Sequence, residues 1–288
     1  MNNNIFDEIS IDLKKNLKKI GIKKNDTIYL GIDLGKTFSF YKELLFNIDK
    51  LSDIKNKCSN IILTALKDYI GPDGTIICPT FSFNFIRSKK FNSKKTKSDL
   101  GYFENYFLNQ KDILRSLHPI FSFCVWGKKK KIVEPCGKFS FGENSPFSNF
   151  LKFNVKFLNI GIKWSETCTY IHHLEHLNGF NHRFYKPTTG KIIHKNKHFI
   201  DTYYHPVRYM GLNSKKAEYK IEEHLKKNSL LRETSNKIYC SSLRTGDIHN
   251  LVLKILKENP SYFMTKKIVV NINNNDKLTI KENINEKN

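Results

Sequence analysis

The sequence predicts a layered α/β fold, an α/β/α sandwich around a mixed sheet, with a small β-rich lid or subsidiary layer near residues 183–210. Three observations carry that expectation. Helical apolar spacing gives way twice, within the first 83 residues, to a short apolar strand. Further on, "VKFLNIGI" (155–162) reads as another buried strand and runs straight into a histidine-rich stretch. Residues 183–210 then change to short β-like pieces.

The elements follow in order. Residues 5–17 carry apolar side chains at helical spacing, so the start reads as an amphipathic helix and no leader peptide is expected. "DTIYLGI" (26–32) is a strand. A Leu- and Ile-spaced helix covers about 51–70, stops at the turn "GPDGT" (71–75) and passes into the strand "IICPTFSF" (76–83). Residues 84–100 are basic and aperiodic and predict a mobile loop of the kind that covers substrates. A helix is expected over 169–180, a hairpin turning at His194–Lys197, and a charged helix over 215–227. Residues 1–270 read as one domain and 271–288, poor in apolar groups, as a flexible tail.

Net charge is +22, from 49 Lys and Arg against 27 Asp and Glu. The lysines are scattered and no nucleic-acid motif accompanies them, so the excess reads as a compositional bias and no nucleic-acid partner is expected. A field of that sign would still draw in anions. The 22 Phe and 13 Tyr supply the bulk for a packed core. Six cysteines without a CxxC pair indicate neither a disulfide framework nor a zinc knuckle. No apolar run approaches the about 20 residues a membrane helix needs, so no membrane insertion and a cytoplasmic location are expected. A homo-oligomer is compatible with all of this.

Several motifs carry chemistry. "LGIDLGKT" (30–37) nearly spells a P-loop but encloses three residues, not four, between Gly31 and Gly35. Backbone donors of Ile32, Asp33, Leu34 and Gly35 can still meet a phosphate or pantetheine group. "RSLHPIFSF" (115–123) sets Arg115, Ser116, His118 and Ser122 among aromatic residues, which by itself reads as a polar turn at a strand edge. "TCTYIHHLEH" (167–176) supports two patterns. His172-x-x-Glu175-His176 matches the inverted zinc-protease signature, with His172 and His176 as ligands, Glu175 as base and a third ligand such as Glu222 or Glu223. Alternatively Thr169, His172 and Glu175 share one helix face. The carboxylate then orients His172 as a general base, Thr169 is an oxyanion donor, His173 points away and Cys168 packs.

The order of these motifs resembles the aminoglycoside N(3)-acetyltransferase family, including relatives that acetylate amino sugars of surface polysaccharides. The likeness runs through "IYLGIDLGK", "GPDGTIICPTFSF", "RSLHPIFSF", "FGENSPFSNFL", "VKFLNIGI", "TCTYIHHLEH" with "RFYK", and "RTGDIHNLVLKIL" (244–256). The resemblance implies acyl transfer from acetyl-CoA to a primary amine, without metal. It also implies His172 as the catalytic histidine with Glu175 as its partner, and a CoA cleft lined by Ile32–Gly35, Arg115, Ser116, His118 and Ser122. Because the chain is strongly basic, a nucleotide-linked amino sugar is expected in preference to a polycationic aminoglycoside.

Overall fold

The computed structural model describes residues 3–39, 51–134, 136–179, 182–208, 218–260, 262–263, 268–272 and 278–282. Helix α1 (Asn3–Lys19) leads into β1 (Thr27–Ile32), which opens into the short α2 (Leu34–Phe38). Helix α3 (Leu51–Ile70) returns the chain to β2 (Thr75–Pro79). After α4 (Phe85–Ser88), β3 (Lys90–Asn92) and α5 (Tyr102–Leu108), the antiparallel strands β4 (Leu114–Arg115) and β5 (Phe123–Gly127) extend the sheet. The second half begins with α6 (Asn149–Lys152), β6 (Lys156–Ile160), α7 (Trp164–Thr167) and α8 (Tyr170–Leu177). The long strands β7 (Arg183–His194) and β8 (Lys197–Arg208) are followed by α9 (Glu218–Lys227), β9 (Arg232–Thr234), β10 (Cys240–Arg244) and α10 (Thr245–Glu258).

The main sheet has seven strands in the order β4-β5-β2-β1-β6-β10-β9. Only its centre is parallel, β1 pairing β2 on one side and β6 on the other. Alternation along β1 builds both faces of the sandwich. Ile28 and Leu30 enter a core with α1, α3 and α5, while Tyr29 points into an aromatic core shared with Phe123, Phe150, Phe157 and Tyr170. The rings of this second core meet edge-on or tilted, as around Tyr29, and form the floor beneath α8.

A three-stranded layer, β3-β7-β8, forms the expected subsidiary element. Its hairpin turns at Lys195 and Asn196, both with positive φ, between His194 and Lys197. Residues 84–100 depart from expectation. They hold α4 and β3, which pairs in parallel with β7, and Phe85 and Phe91 are buried against Ile192 and Tyr203. Two aromatic anchors in a lysine-rich segment thus pin it down. The strand expected over 76–83 ends at Pro79, because Thr80 and Ser82 turn their backbone bonds to Ser122 and Ile120. In the supposed tail, β11 (Ile268–Ile272) and β12 (Leu278–Glu282) pair antiparallel, while residues 283–288 lie outside the described residues.

Candidate active site

In an open α/β sheet, ligands bind beyond the carboxyl ends of the parallel strands, where neighbouring connections leave in opposite directions. Here that point lies between β1 and β6. β1 ends in Asp33, whose carboxylate caps α2 by accepting from Lys36 N at 2.9 Å. β6 ends in Gly161, whose φ of +69° and contact with Thr37 Oγ1 and Asp33 O leave no room for a side chain. The two connections are pinned together. Lys36 Nζ reaches Glu166 at 3.3 Å, and Thr167 donates to Asn159 Oδ1 at 2.8 Å against Gly31.

Helix α8 grows out of the β6 connection with Thr169 at its N-terminal boundary. Its i, i+3 spacing puts His172 Nδ1 2.6 Å from Glu175 Oε2. An ionised carboxylate only accepts, so Nδ1 carries the proton and Nε2 presents its lone pair. Among the described residues Nε2 has no partner. The His172 side chain is 25% exposed and that of Glu175 only 2%, so the imidazole reaches solvent while the carboxylate beside it is interior.

Two further side chains converge on Glu175. His182 Nε2 lies 3.1 Å from Oε1 and Arg183 Nε 3.7 Å from Oε2, both nearly buried. Burial alone would raise the Glu175 carboxyl, but the hydrogen bonds from His172 and His182 and the Arg183 charge outweigh it and hold the group well below the usual carboxylate range. Glu175 is therefore an anion fixed by three basic groups. Neither His182 nor Arg183 is expected as a site residue from the sequence. They come to α8 across the turn at Gly179, and no periodicity links them to it; only the "RFYK" run in the family resemblance touches them.

The neighbouring histidines have other work. His173 Nδ1 accepts from Gly142 N at 3.1 Å, and burial pushes its pKa down to about 3. His176 Nδ1 meets the Tyr185 hydroxyl at 2.9 Å. The donors of the inverted zinc pattern thus turn to separate partners, and among the described residues no group of three His, Cys, Asp or Glu side chains is placed to hold a metal ion. Glu222 accepts from Ser165 N and pairs with Lys226. The Thr169 side chain lies beside the buried Tyr29 phenol, whose pKa burial raises and Thr169 partly offsets. Cys168 Sγ donates to Ser165 O at 3.2 Å.

The polar cluster after residue 114 lies largely in the interior, and Arg115 at its edge also lines a cavity with Ser93, Ile113 and His194. Arg115, Ser116, His118 and Ser122 are all under 7% exposed. The Arg115 guanidinium donates to Ser122 Oγ, Thr96 O, Thr80 O and Ser82 Oγ at 2.5–3.0 Å. Ser116 Oγ accepts from Phe123 N at 2.9 Å. His118 Nδ1 accepts from Phe121 N at 3.0 Å and its Nε2 meets Ser140 Oγ at 3.3 Å, with burial pushing its pKa down to about 3. This is a satisfied network that ties β2, β5 and the subsidiary layer together. Ile32, Asp33 and Leu34 are half-buried and Gly35 is exposed at the carboxyl end of β1.

A family model described as aminoglycoside 3-N-acetyltransferase matches residues 48–256. Solved structures share the fold. Sisomicin-bound AAC-VIa is 16% identical, with 86% of this chain and 97% of that one covered and a TM-score of 0.69. AAC-IIIb with CoASH is 17% identical, with 90% and 98% covered and a TM-score of 0.69. The YokD protein of Bacillus subtilis is 18% identical, with 87% and 99% covered and a TM-score of 0.66. Among curated proteins no sequence matches. With the family model spanning more than two thirds of its length, the chain belongs to the aminoglycoside 3-N-acetyltransferase family and is an N-acetyltransferase.

Proposed function

We propose that the enzyme transfers the acetyl group of acetyl-CoA to a primary amine of an aminoglycoside by direct attack on the thioester. The observation that carries the mechanism is the 2.6 Å bond from His172 Nδ1 to Glu175, which leaves Nε2 as the proton acceptor. The amine nitrogen attacks the acetyl carbonyl carbon, and its proton passes to Nε2 as the C–N bond forms. Collapse of the tetrahedral intermediate breaks the C–S bond, and the imidazolium returns the proton to the departing sulfur. Glu175 stabilises the cation formed in between. The loop Ile32–Gly35 is assigned to the CoA moiety through its backbone donors. Arg115, Ser116, His118 and Ser122 act on it only by holding the surrounding strands.

Net charge alone favours a nucleotide-linked amino sugar, but charge summed over a chain says little about one crevice. The family match supports the aminoglycoside, and none of the comparisons points to surface-polysaccharide relatives. Acetyl-CoA consumption across a panel of aminoglycosides and nucleotide-linked amino sugars decides the acceptor. Turnover of the first group is expected, and turnover confined to the second would overturn the reading.

Thr169 is assigned to the oxyanion. Its hydroxyl stands beside the buried Tyr29 phenol and is assigned to donate to the carbonyl oxygen as negative charge develops there. Thr169→Val is expected to lower kcat about 10²-fold with little change in KM. A change within twofold would return the hydroxyl to a purely structural bond.

A further inference from the structure

Beside α8 an exposed aromatic ring lies flat against a half-buried one. Phe139 is 42% exposed and stacks on Tyr204 with centroids 4.7 Å and planes 13° apart. Edge-on to Phe139, at 4.9 Å, stands Tyr185. The backbone fixes this arrangement: Tyr204 N donates to Lys138 O at 2.9 Å and Ser140 N to Tyr204 O at 3.0 Å. Tyr185 is in turn bound to His176, which follows His172 by about 6 Å along the helix axis at 1.5 Å per residue. Gly142, with φ +90°, packs on the His176 ring from the other side.

We propose that Phe139, Tyr204 and Tyr185 form a stacking platform for one sugar ring of the acceptor, the ring next to the one that carries the attacking amine. The inference deepens the aminoglycoside reading and rests on it. The two ends of α8 face different neighbours. Its start follows α7, which the Lys36–Glu166 pair ties to α2 beside the loop assigned to CoA and the Thr167–Asn159 bond ties to β6. Its end adjoins the aromatic rings, and His172 stands between. An acceptor ring on the platform therefore puts its neighbour at His172, with the thioester arriving from the opposite side.

The chemistry of the platform suits an amino sugar. Pyranose rings present flat C–H faces, and their ammonium groups are drawn to the negative face of an aromatic ring. Burial pushes the Tyr185 phenol well above its usual value, so the ring stays neutral. Neutral aromatic faces let a chain of net charge +22 hold a polycation with few carboxylates.

Steady-state kinetics with sisomicin as acceptor test the platform. Phe139→Leu keeps apolar bulk and removes the ring, and Phe139→Ala removes both. In each, acceptor KM is expected to rise about tenfold, with kcat within twofold and acetyl-CoA KM unchanged. Phe139→Trp should restore acceptor KM, and with glucosamine, which has one ring, the variants should match wild type. Unchanged sisomicin KM in the Leu and Ala variants would overturn the platform alone. A rise in acetyl-CoA KM instead would give these rings to the donor's adenine and overturn the proposal. A wild-type enzyme that acetylates no aminoglycoside would overturn the acceptor reading and the platform together.

Discussion

His172→Ala is expected to reduce kcat by about 10²- to 10⁴-fold while CoA still binds. Without Nε2 the attacking amine has no positioned acceptor for the proton it gives up, and water must take it. The substitution is informative because the residue is cheap to remove structurally. Its side chain is 25% exposed, and its largest neighbour, Phe141, stays packed against Phe121 and Phe147. The remaining partners of Glu175, His182 and Arg183, keep that carboxylate compensated. CoA binding by calorimetry and thermal unfolding should therefore stay near wild type while acetyl transfer collapses. Added imidazole should restore part of the rate to the alanine variant, because it replaces the missing acceptor and nothing else. Turnover retained without it would remove His172 from the mechanism.

The fold and the centre of the site were legible because both are local. The continuous buried run in "DTIYLGI" and the i, i+3 relation of His172 to Glu175 are properties of single segments, and the hairpin turn at Lys195–Asn196 announces itself by its residues. What stayed hidden depends on contacts between distant segments. His182 and Arg183 reach Glu175 only because β7 starts beside α8. The cluster at Arg115 has the composition of a ligand cleft, yet its donors are spent on carbonyls of residues 80 and 96, a pairing that one segment cannot reveal. In residues 84–100 the lysines set the apparent character, while two buried phenylalanines decide the structure. Net charge and the family match point to different acceptors for a related reason, since charge sums the surface and does not describe one crevice.

Glu175→Gln should damage catalysis and stability together, and the pH dependence should separate the two. The amide keeps the volume of the carboxyl but puts one neutral acceptor and one donor where an anion now meets the hydrogen bonds of His172 and His182 and the charge of Arg183. The His172 imidazolium loses its stabilising charge, which should cost on the order of 10²-fold or more in kcat. Arg183, whose side chain is 9% exposed, loses the anion beside it; breaking a buried pair from one side typically costs about 3–5 kcal/mol. The folded-state carboxyl of Glu175 titrates below its unfolded value of about 4.3. A depressed carboxylate contributes fully above the unfolded value and loses its contribution as pH falls towards the folded one. Urea unfolding should thus show the widest gap between wild type and Glu175→Gln at neutral pH, narrowing steadily below about pH 4 as the wild type alone surrenders this term. A gap that stays constant on acidification would mean that Glu175 is not the charge on which its three basic neighbours depend.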